Sequence, residues 1–282
     1  MAIQILADEV ASQIAAGEVV ERPASVVKEL LENGIDAGAT RIGIRIEEAG
    51  KKLIEVNDNG SGISAADLPL AVARHATSKL NSADDLFHIR TLGFRGEALA
   101  SIGSVSRLVL FSRRLDQPMG AQIVVEGGKV LRSEPYGGVT GTLVRVQDLF
   151  YNTPARLKFL KRDVTEKQQI DGLVTRYALA YPSIAIHLEE DSKNVLRTVG
   201  NGNQREVLAQ LYGIDLAKQL LEVIFEEDGI KIQGFISPIS VNRSNRKDIT
   251  FFVNGRWVQD IALTAALMKA YQTFLMVGRY PL

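Results

Sequence analysis

No cysteine occurs among the 282 residues. That excludes disulfides, zinc–thiolate sites and a cysteine nucleophile, and it fits a reducing interior. Histidine is nearly as scarce. His75, His88 and His187 lie far apart and show no metal-ligand spacing, which argues against a histidine-based metal site. Net charge is absent as well, since 33 basic side chains balance 33 acidic ones. The whole chain therefore exerts no general pull on nucleic acid, and any such contact must come from local patches. No apolar run is long enough to span a bilayer. The Ala- and Ile-rich start is interrupted by Asp8, Glu9 and Glu18 and has no basic stretch before it, which makes a signal peptide a poor reading. Finally, nothing matches GxxxxGK[ST], so a P-loop is excluded and any nucleotide site must be built some other way. What remains is ordinary: 46% hydrophobic and 23% charged residues, enough for a substantial core in a soluble intracellular protein. The length suits one large domain or two.

The periodicity predicts helices over 5–16, from Pro23 to the region of Gly38, over 65–80, from 97 onward, over 165–181, near 204–212 and over 260–275. Strands are expected at 40–47, 52–58, in four runs between 107 and 147, at 184–189 and 194–199, then near 220–225, 230–236 and 249–258. Thr165 and Gln168 form a possible capping box. Gly200-Asn201-Gly202-Asn203 is the best boundary between domains. Helices interleaved with mostly antiparallel strands predict an α+β first domain over 1–200, followed by a smaller α/β domain over 204–282.

Chemistry concentrates early. On an ideal helix, at about 100° per residue, Val26, Val27, Leu30 and Leu31 form the apolar face of the second helix. Glu29, Asn33 and Asp36 share one flank of it, while Lys28 and Glu32 point further toward solvent. A carboxylate at 29 can orient an attacking water. An amide oxygen at 33 is a hard ligand that suits Mg²⁺. On these residues alone, a polar helix margin without function explains the pattern better.

The glycine-bearing loops add to this. Ile54, Val56 and Asp58 alternate onto one face of a strand. Asp58 is then a carboxylate on the buried side that needs a donor, and a purine amino group would serve. Gly60 and Gly62 would let a flat ring approach the backbone. Taken alone, Asp58-Asn59-Gly60 fits a plain turn better. The loop of Gly93, Phe94, Arg95, Gly96 and Glu97 leads into a helix start at Ala98 and Leu99, where free backbone N–H groups can hold phosphate. Thr77, Ser78 and Lys79 offer two hydroxyls and an ammonium. The polar span 80–92 is long for a compact connection and reads as a lid.

Together these residues resemble the ATP-binding superfamily shared by DNA gyrase, heat-shock chaperones, sensor histidine kinases and MutL. The likeness is closest to the MutL-type DNA mismatch repair proteins. It rests on QIAAGEVVERPASVVKELLEN with DAGAT (13–40), DNGSGI (58–63), ARHATSKL (73–80), LGFRGEALASI (92–102), LFYNTPARLKFL (149–160) and FFVNGRWV (251–258), in order along nearly the whole chain. The resemblance implies an ATP-binding domain in which helices pack on a mixed sheet, with ATP and Mg²⁺ as cofactors. It implies Glu29 as general base, Asn33 as Mg²⁺ ligand and Asp58 as reader of adenine, with Gly60 and Gly62 beside it. Asp36 falls in the same nucleotide site. Thr77, Ser78, Lys79, Gly93, Phe94, Arg95, Gly96, Ala98 and Leu99 are implied as lid (about 74–98) and phosphate cradle, and Thr142 as support for the adenine end. It further implies ATP-driven homodimerisation into a clamp, a mismatch-recognition partner of the MutS type, a downstream nuclease or helicase, DNA bound without sequence preference, and a bacterial cytoplasmic setting with association to the nucleoid during repair.

The chain also departs from that pattern. Gly34-Ile35 stands where Ser-Leu is more usual. Family members continue into a VNVHP-type motif and a lysine that reaches the γ-phosphate. This sequence ends at Leu282, so a truncated second domain and impaired hydrolysis are expected, and an ATP-gated binding module with little turnover is the alternative reading. Two basic clusters, Arg156, Lys158, Lys161 and Arg162, and Arg243, Arg246, Lys247 and Arg256, could neutralise DNA phosphates. A solvated basic face explains each of them equally well.

Overall fold

The computed structural model describes residues 8–79, 91–93 and 96–282. The chain divides into two units, Met1–Thr175 with Ser183–Asn201, and Arg176–Pro182 with Gly202–Leu282.

In the first unit, helices α1 (Asp8–Val19) and α2 (Pro23–Asp36) precede a hairpin of β1 (Arg41–Glu47) and β2 (Leu53–Asp58). Then come the short helices α3 (Leu68–Ala71) and α4 (Ala98–Ser104), and strands β3 (Arg107–Arg113), β4 (Gly120–Glu126), β5 (Lys129–Tyr136) and β6 (Gly141–Gln147). Helices α5 (Pro154–Phe159) and α6 (Asp163–Ala180) lead to β7 (Ala185–Glu190) and β8 (Lys193–Arg197). The eight strands form one sheet in the order β5-β4-β3-β6-β2-β1-β7-β8. Only β1 and β7 pair in parallel, so the sheet is mixed and largely antiparallel. This is the α+β arrangement of helices on a mixed sheet that the sequence predicts.

The alternation of strand residues sets the core. Ile42, Ile44 and Ile46 on β1, Ile54 and Val56 on β2, Leu108 and Leu110 on β3, and Val144 and Val146 on β6 are all buried. Helix α2 buries Val26, Val27, Leu30 and Leu31, each contributing about 1.5–3 kcal/mol by leaving water. Pro23 opens α2 at a position where its missing N–H costs nothing. Gly38, at φ 73°, closes it, with its N–H donating to the carbonyl of Ile35 at 2.9 Å.

Several expectations are corrected. The helix expected over 65–80 shrinks to Leu68–Ala71, and the chain then runs through turns in which His75 has φ 60°. Glu32 is not on the solvent side: it is 6% exposed and accepts from Lys28 Nζ at 2.8 Å, the ion pair that permits its burial. Helix α6 starts at Asp163, two residues before the expected capping box.

One strand in from the sheet edge, α6 sets Asp171 against Glu190, which is 7% exposed at the end of β7. Burial, then the neighbouring Asp171 carboxylate, push the Glu190 carboxyl up to about 7, against the pull of Lys167. Lys167 is itself tied to Asp191 at 2.5 Å. The folded chain therefore holds a proton that the unfolded chain releases near the ordinary value of 4.5. The resulting stabilisation is complete below that value and is lost as pH rises through 7. We expect Glu190→Gln to remove this slope and to raise stability at pH 8.5 by about 2 kcal/mol. Urea midpoints at pH 5.5 and 8.5 check it. An unchanged slope in the variant would assign the pH dependence to other groups.

In the second unit, α7 (Gln204–Tyr212) and α8 (Ile214–Gln219) precede two antiparallel hairpins. One pairs β9 (Leu221–Glu227) with β10 (Ile230–Ile236), and the other pairs β11 (Phe251–Val253) with β12 (Arg256–Val258). Helix α9 (Ile261–Tyr271) follows. The single strand region expected over 249–258 is thus a hairpin. Asn254 and Gly255 supply its two-residue turn with φ 50° and 78°. Asn203 caps α7 through its side chain, which accepts from the backbone N–H groups of Arg205 and Glu206. Among the described residues, no helix is long and apolar enough to cross a membrane.

Candidate functional site

The flank of α2 is where the sequence-predicted residues meet. Asn33 and Asp36 are three residues apart and both face Lys79. The Lys79 ammonium lies 3.0 Å from Asn33 Oδ1 and 2.5 Å from Asp36 Oδ2. Asp36 is a hub. Its Oδ1 accepts from the N–H of Leu92 at 2.8 Å and its Oδ2 from the N–H of Gly93 at 3.0 Å. Its side chain is 6% exposed, against 20% for Lys79. Gly93 is packed so closely that a Cβ there would lie 3.2 Å from Lys79 Nζ and 3.6 Å from Asn33 Oδ1. One carboxylate thus ties together the two stems that flank residues 80–90.

Asp58 joins the same neighbourhood from the sheet. A Cβ on Gly34 would sit 3.2 Å from the Asp58 Cβ and 3.2 Å from Ile42 Cδ1. The small residue at 34 therefore lets α2 lie directly on the end of β2. The Asp58 Oδ1 accepts from the Gly60 N–H at 2.8 Å. Burial raises the Asp58 carboxyl above its ordinary value, and the backbone groups of Gly60 and Thr142 oppose that shift. Gly60 itself packs on Ala37, where a Cβ would stand 2.7 Å from the Ala37 Cβ. Gly62 has φ 72°, and a Cβ there would lie 2.2 Å from the Arg113 carbonyl oxygen, so both conformation and space demand glycine.

Thr142 pairs with Asp58 across β2 and β6. Its hydroxyl lies 2.9 Å from Ser112 Oγ, which accepts from the Ile63 N–H at 2.7 Å and lies 3.0 Å from the Gly141 carbonyl oxygen. Ser112 thus stands beside Thr142, and the sequence motifs do not point to it. Its signal was present: a serine continuing the inward face of Leu108 and Leu110 must satisfy its hydroxyl inside.

Other expected residues are placed less directly. Gly96, at φ 63°, packs against Ala76 and Thr77, and Thr77 Oγ1 accepts from the Lys79 N–H at 3.1 Å. Ala98 and Leu99 open α4. Ser78 has no described contact into the cluster. Phe94, Arg95 and the central part of the expected 74–98 lid lie outside the described residues. Glu29 is one turn before Asn33, is 24% exposed, and its Oε1 lies 3.2 Å from Lys28 Nζ.

The basic side chains of the two clusters differ in how far the fold engages them. Arg156 donates to the carbonyl of Gln13 at 2.7 Å, against the face of α1 where Gly17 leaves room for its guanidinium. It is therefore committed within the fold. Lys158, Lys161 and Arg162 stay exposed. In the second unit, Arg243 pairs with Asp248 at 2.7 Å and Arg246 lies over the Tyr280 ring.

Residues 21–131, which carry the helix-borne amide and carboxylates and the glycine-lined strand end, match the model of the family described as histidine kinase-, DNA gyrase B-, and HSP90-like ATPase. Residues 208–282 match a second one, the C-terminal domain of DNA mismatch repair proteins. The chain belongs to the MutL family of DNA mismatch repair proteins. It is 48% identical over 280 residues to MutL of Leuconostoc citreum and 49% identical to MutL of Staphylococcus saprophyticus. Both alignments cover 99% of this chain, and the chain spans 42% and 43% of those relatives. Among solved structures, the Aquifex aeolicus MutL ATPase domain complexed with ADP is 31% identical, with a TM-score of 0.68 over 93% of this chain and 92% of that one. The N-terminal domain of a DNA repair protein matches at 26% identity with a TM-score of 0.82, covering 98% of this chain and 87% of that one.

Proposed function

We propose that this chain binds Mg²⁺-ATP at the flank of α2 and hydrolyses it, as the nucleotide-driven part of a mismatch repair protein. The observation that carries this reading is the convergence of Asn33, Asp36, Lys79 and the Gly93 backbone on one point of α2, the helix that packs on Asp58 through Gly34. The relative solved with ADP supports nucleotide as the ligand. In this reading Asp58 accepts from the adenine amino group, and Gly60, Gly62 and Thr142 shape the space around the base. Thr77, Ser78, Lys79, Gly93, Phe94, Arg95, Gly96, Ala98 and Leu99 serve the phosphates through backbone N–H groups, hydroxyls and the ammonium. Glu29 orients the attacking water.

The residues fit a divalent ion by their own chemistry. Asn33 Oδ1 already accepts from a cation, the Lys79 ammonium, with the Asp36 carboxylate beside it. One amide oxygen supplemented by phosphates and water matches the demands of Mg²⁺. When bound, the ion would neutralise charge on the phosphates. We assign the nucleotide domain to 1–200 and a second domain to 204–282. ATP-driven pairing of two copies, contact with a mismatch-recognition protein and a downstream nuclease or helicase, and salt-sensitive DNA binding complete the proposal. The exposed Lys158, Lys161 and Arg162 suit DNA phosphates better than Arg156, which is held against α1.

Calorimetry with ATP, with and without Mg²⁺, tests the core of this reading. Binding that weakens at least tenfold without Mg²⁺ is expected, together with a shift from monomer to dimer on a sizing column in a non-hydrolysable analogue. A chain that binds no nucleotide would sink the assignment, and one that binds but stays monomeric would sink the pairing.

A further inference from the structure

The Lys79 ammonium occupies an unusual place. It is the described donor to Asn33 Oδ1, at 3.0 Å, and it fills the space in front of Gly93. Asp36 is held from the other side as well, its two carboxylate oxygens accepting from the N–H groups of Leu92 and Gly93. Asn33 has the weaker hold, a neutral oxygen facing a charge that is also drawn to Asp36. A unit positive charge this close to Asn33 opposes a dication at the same oxygen, and beside the largely buried Asp36 the opposition is larger than in bulk water.

We propose that Lys79 is an internal counter-cation of the nucleotide pocket. Without nucleotide, its ammonium holds the divalent-ion position between Asn33 and Asp36, so the metal alone is kept out. Phosphate oxygens draw the ammonium off Asn33 by a stronger charge-assisted contact, and metal and nucleotide therefore load together. This inference rests on the nucleotide reading above and extends it to the order of loading. No covalent step is involved, only exchange of one cation for another at Asn33 Oδ1.

The test is Mn²⁺ binding to the nucleotide-free protein, followed by electron paramagnetic resonance of the free ion. The unaltered chain should bind Mn²⁺ weakly at this site. Lys79→Met should bind it at least tenfold more tightly, and Lys79→Gln, a second neutral variant, should show the same gain. Adding Asn33→Ala to Lys79→Met should abolish the gain, whereas Lys79→Arg, which keeps the charge, should bind as weakly as the unaltered chain. Neutral variants that bind Mn²⁺ no better overturn the proposal, as does a gain that survives Asn33→Ala. Mg²⁺-ATP binding by the unaltered chain, measured alongside, keeps the two readings apart. If it binds Mg²⁺-ATP while Lys79→Met shows no gain, the counter-cation alone fails.

Discussion

Asp58→Ala should lower ATP affinity about 100-fold, the loss expected when a charge-assisted hydrogen bond in a half-buried site is removed. The carboxylate lies where β2 meets the end of α2, with Gly34 pressed against its Cβ and the Gly60 N–H already on Oδ1. Its other oxygen is the acceptor we assign to the adenine amino group. Burial disfavours the charged form, and only the backbone groups of Gly60 and Thr142 offset that cost. A ligand donor at this point therefore restores what desolvation removes. The same logic predicts selectivity. Guanine presents a carbonyl where adenine presents an amino group, so GTP should bind poorly to the unaltered chain, and Asp58→Ala should bring the two nucleotides to similar, weak affinity. Asp58→Asn keeps an oxygen for the Gly60 N–H but loses the charge, and about a tenfold loss is expected. Calorimetry with ATP and GTP on the three proteins decides it. An alanine variant that keeps full affinity and full preference for ATP would remove Asp58 from adenine recognition. Melting curves should differ little, because the alanine also relieves a buried charge.

Much of this site was legible in the sequence because its parts obey local rules. The flank holding Asn33 and Asp36 follows from helical geometry and the apolar positions Val26, Val27, Leu30 and Leu31. The inward placement of Asp58 follows from strand alternation behind the buried Ile54 and Val56. What escaped was tertiary. Glu32 lies on the helix side that periodicity gives to solvent, yet it is buried and accepts from the ammonium of Lys28. The tie from Asp36 to Leu92 and Gly93 spans 56 and 57 residues, and no local pattern announces it. The 65–80 segment is apolar enough for a helix, yet the described helix ends at Ala71, and Ala76 beyond it lies against Gly96. Gly34 is the instructive case. As a sequence feature it only weakens a helix end, whereas in the fold it admits Asp58 to the helix surface. The Asn254-Gly255 dipeptide carries a hairpin signal of its own, yet the apolar run around it reads as one strand over 249–258, and the structure breaks it into two.

Glu29→Gln should reduce the steady-state rate of ATP hydrolysis by about 100- to 1,000-fold, the lower part of the range for a general base, while changing nucleotide affinity no more than a few-fold. The split is the informative part. Asn33, Asp36, Lys79 and Gly93 make their contacts with one another and not through Glu29. The described partner of Glu29 is Lys28 at 3.2 Å, and that lysine is anchored to the buried Glu32 at 2.8 Å. The Glu29 carboxylate itself is 24% exposed and open to water. Glutamine keeps the shape and loses the base, so kcat should fall and KM should stay nearly constant, as for an interaction made in the transition state alone. Lys28→Met offers the complementary measurement. Freed from its neighbour, Glu29 remains a base but loses orientation, and the rate should drop by a smaller factor than in Glu29→Gln. A Glu29→Gln variant with undiminished turnover would place the base elsewhere. Parallel loss of rate and affinity would instead mark Glu29 as part of the pocket's framework, with Lys28 and Glu32 bracing the helix rather than aiming a water-activating carboxylate.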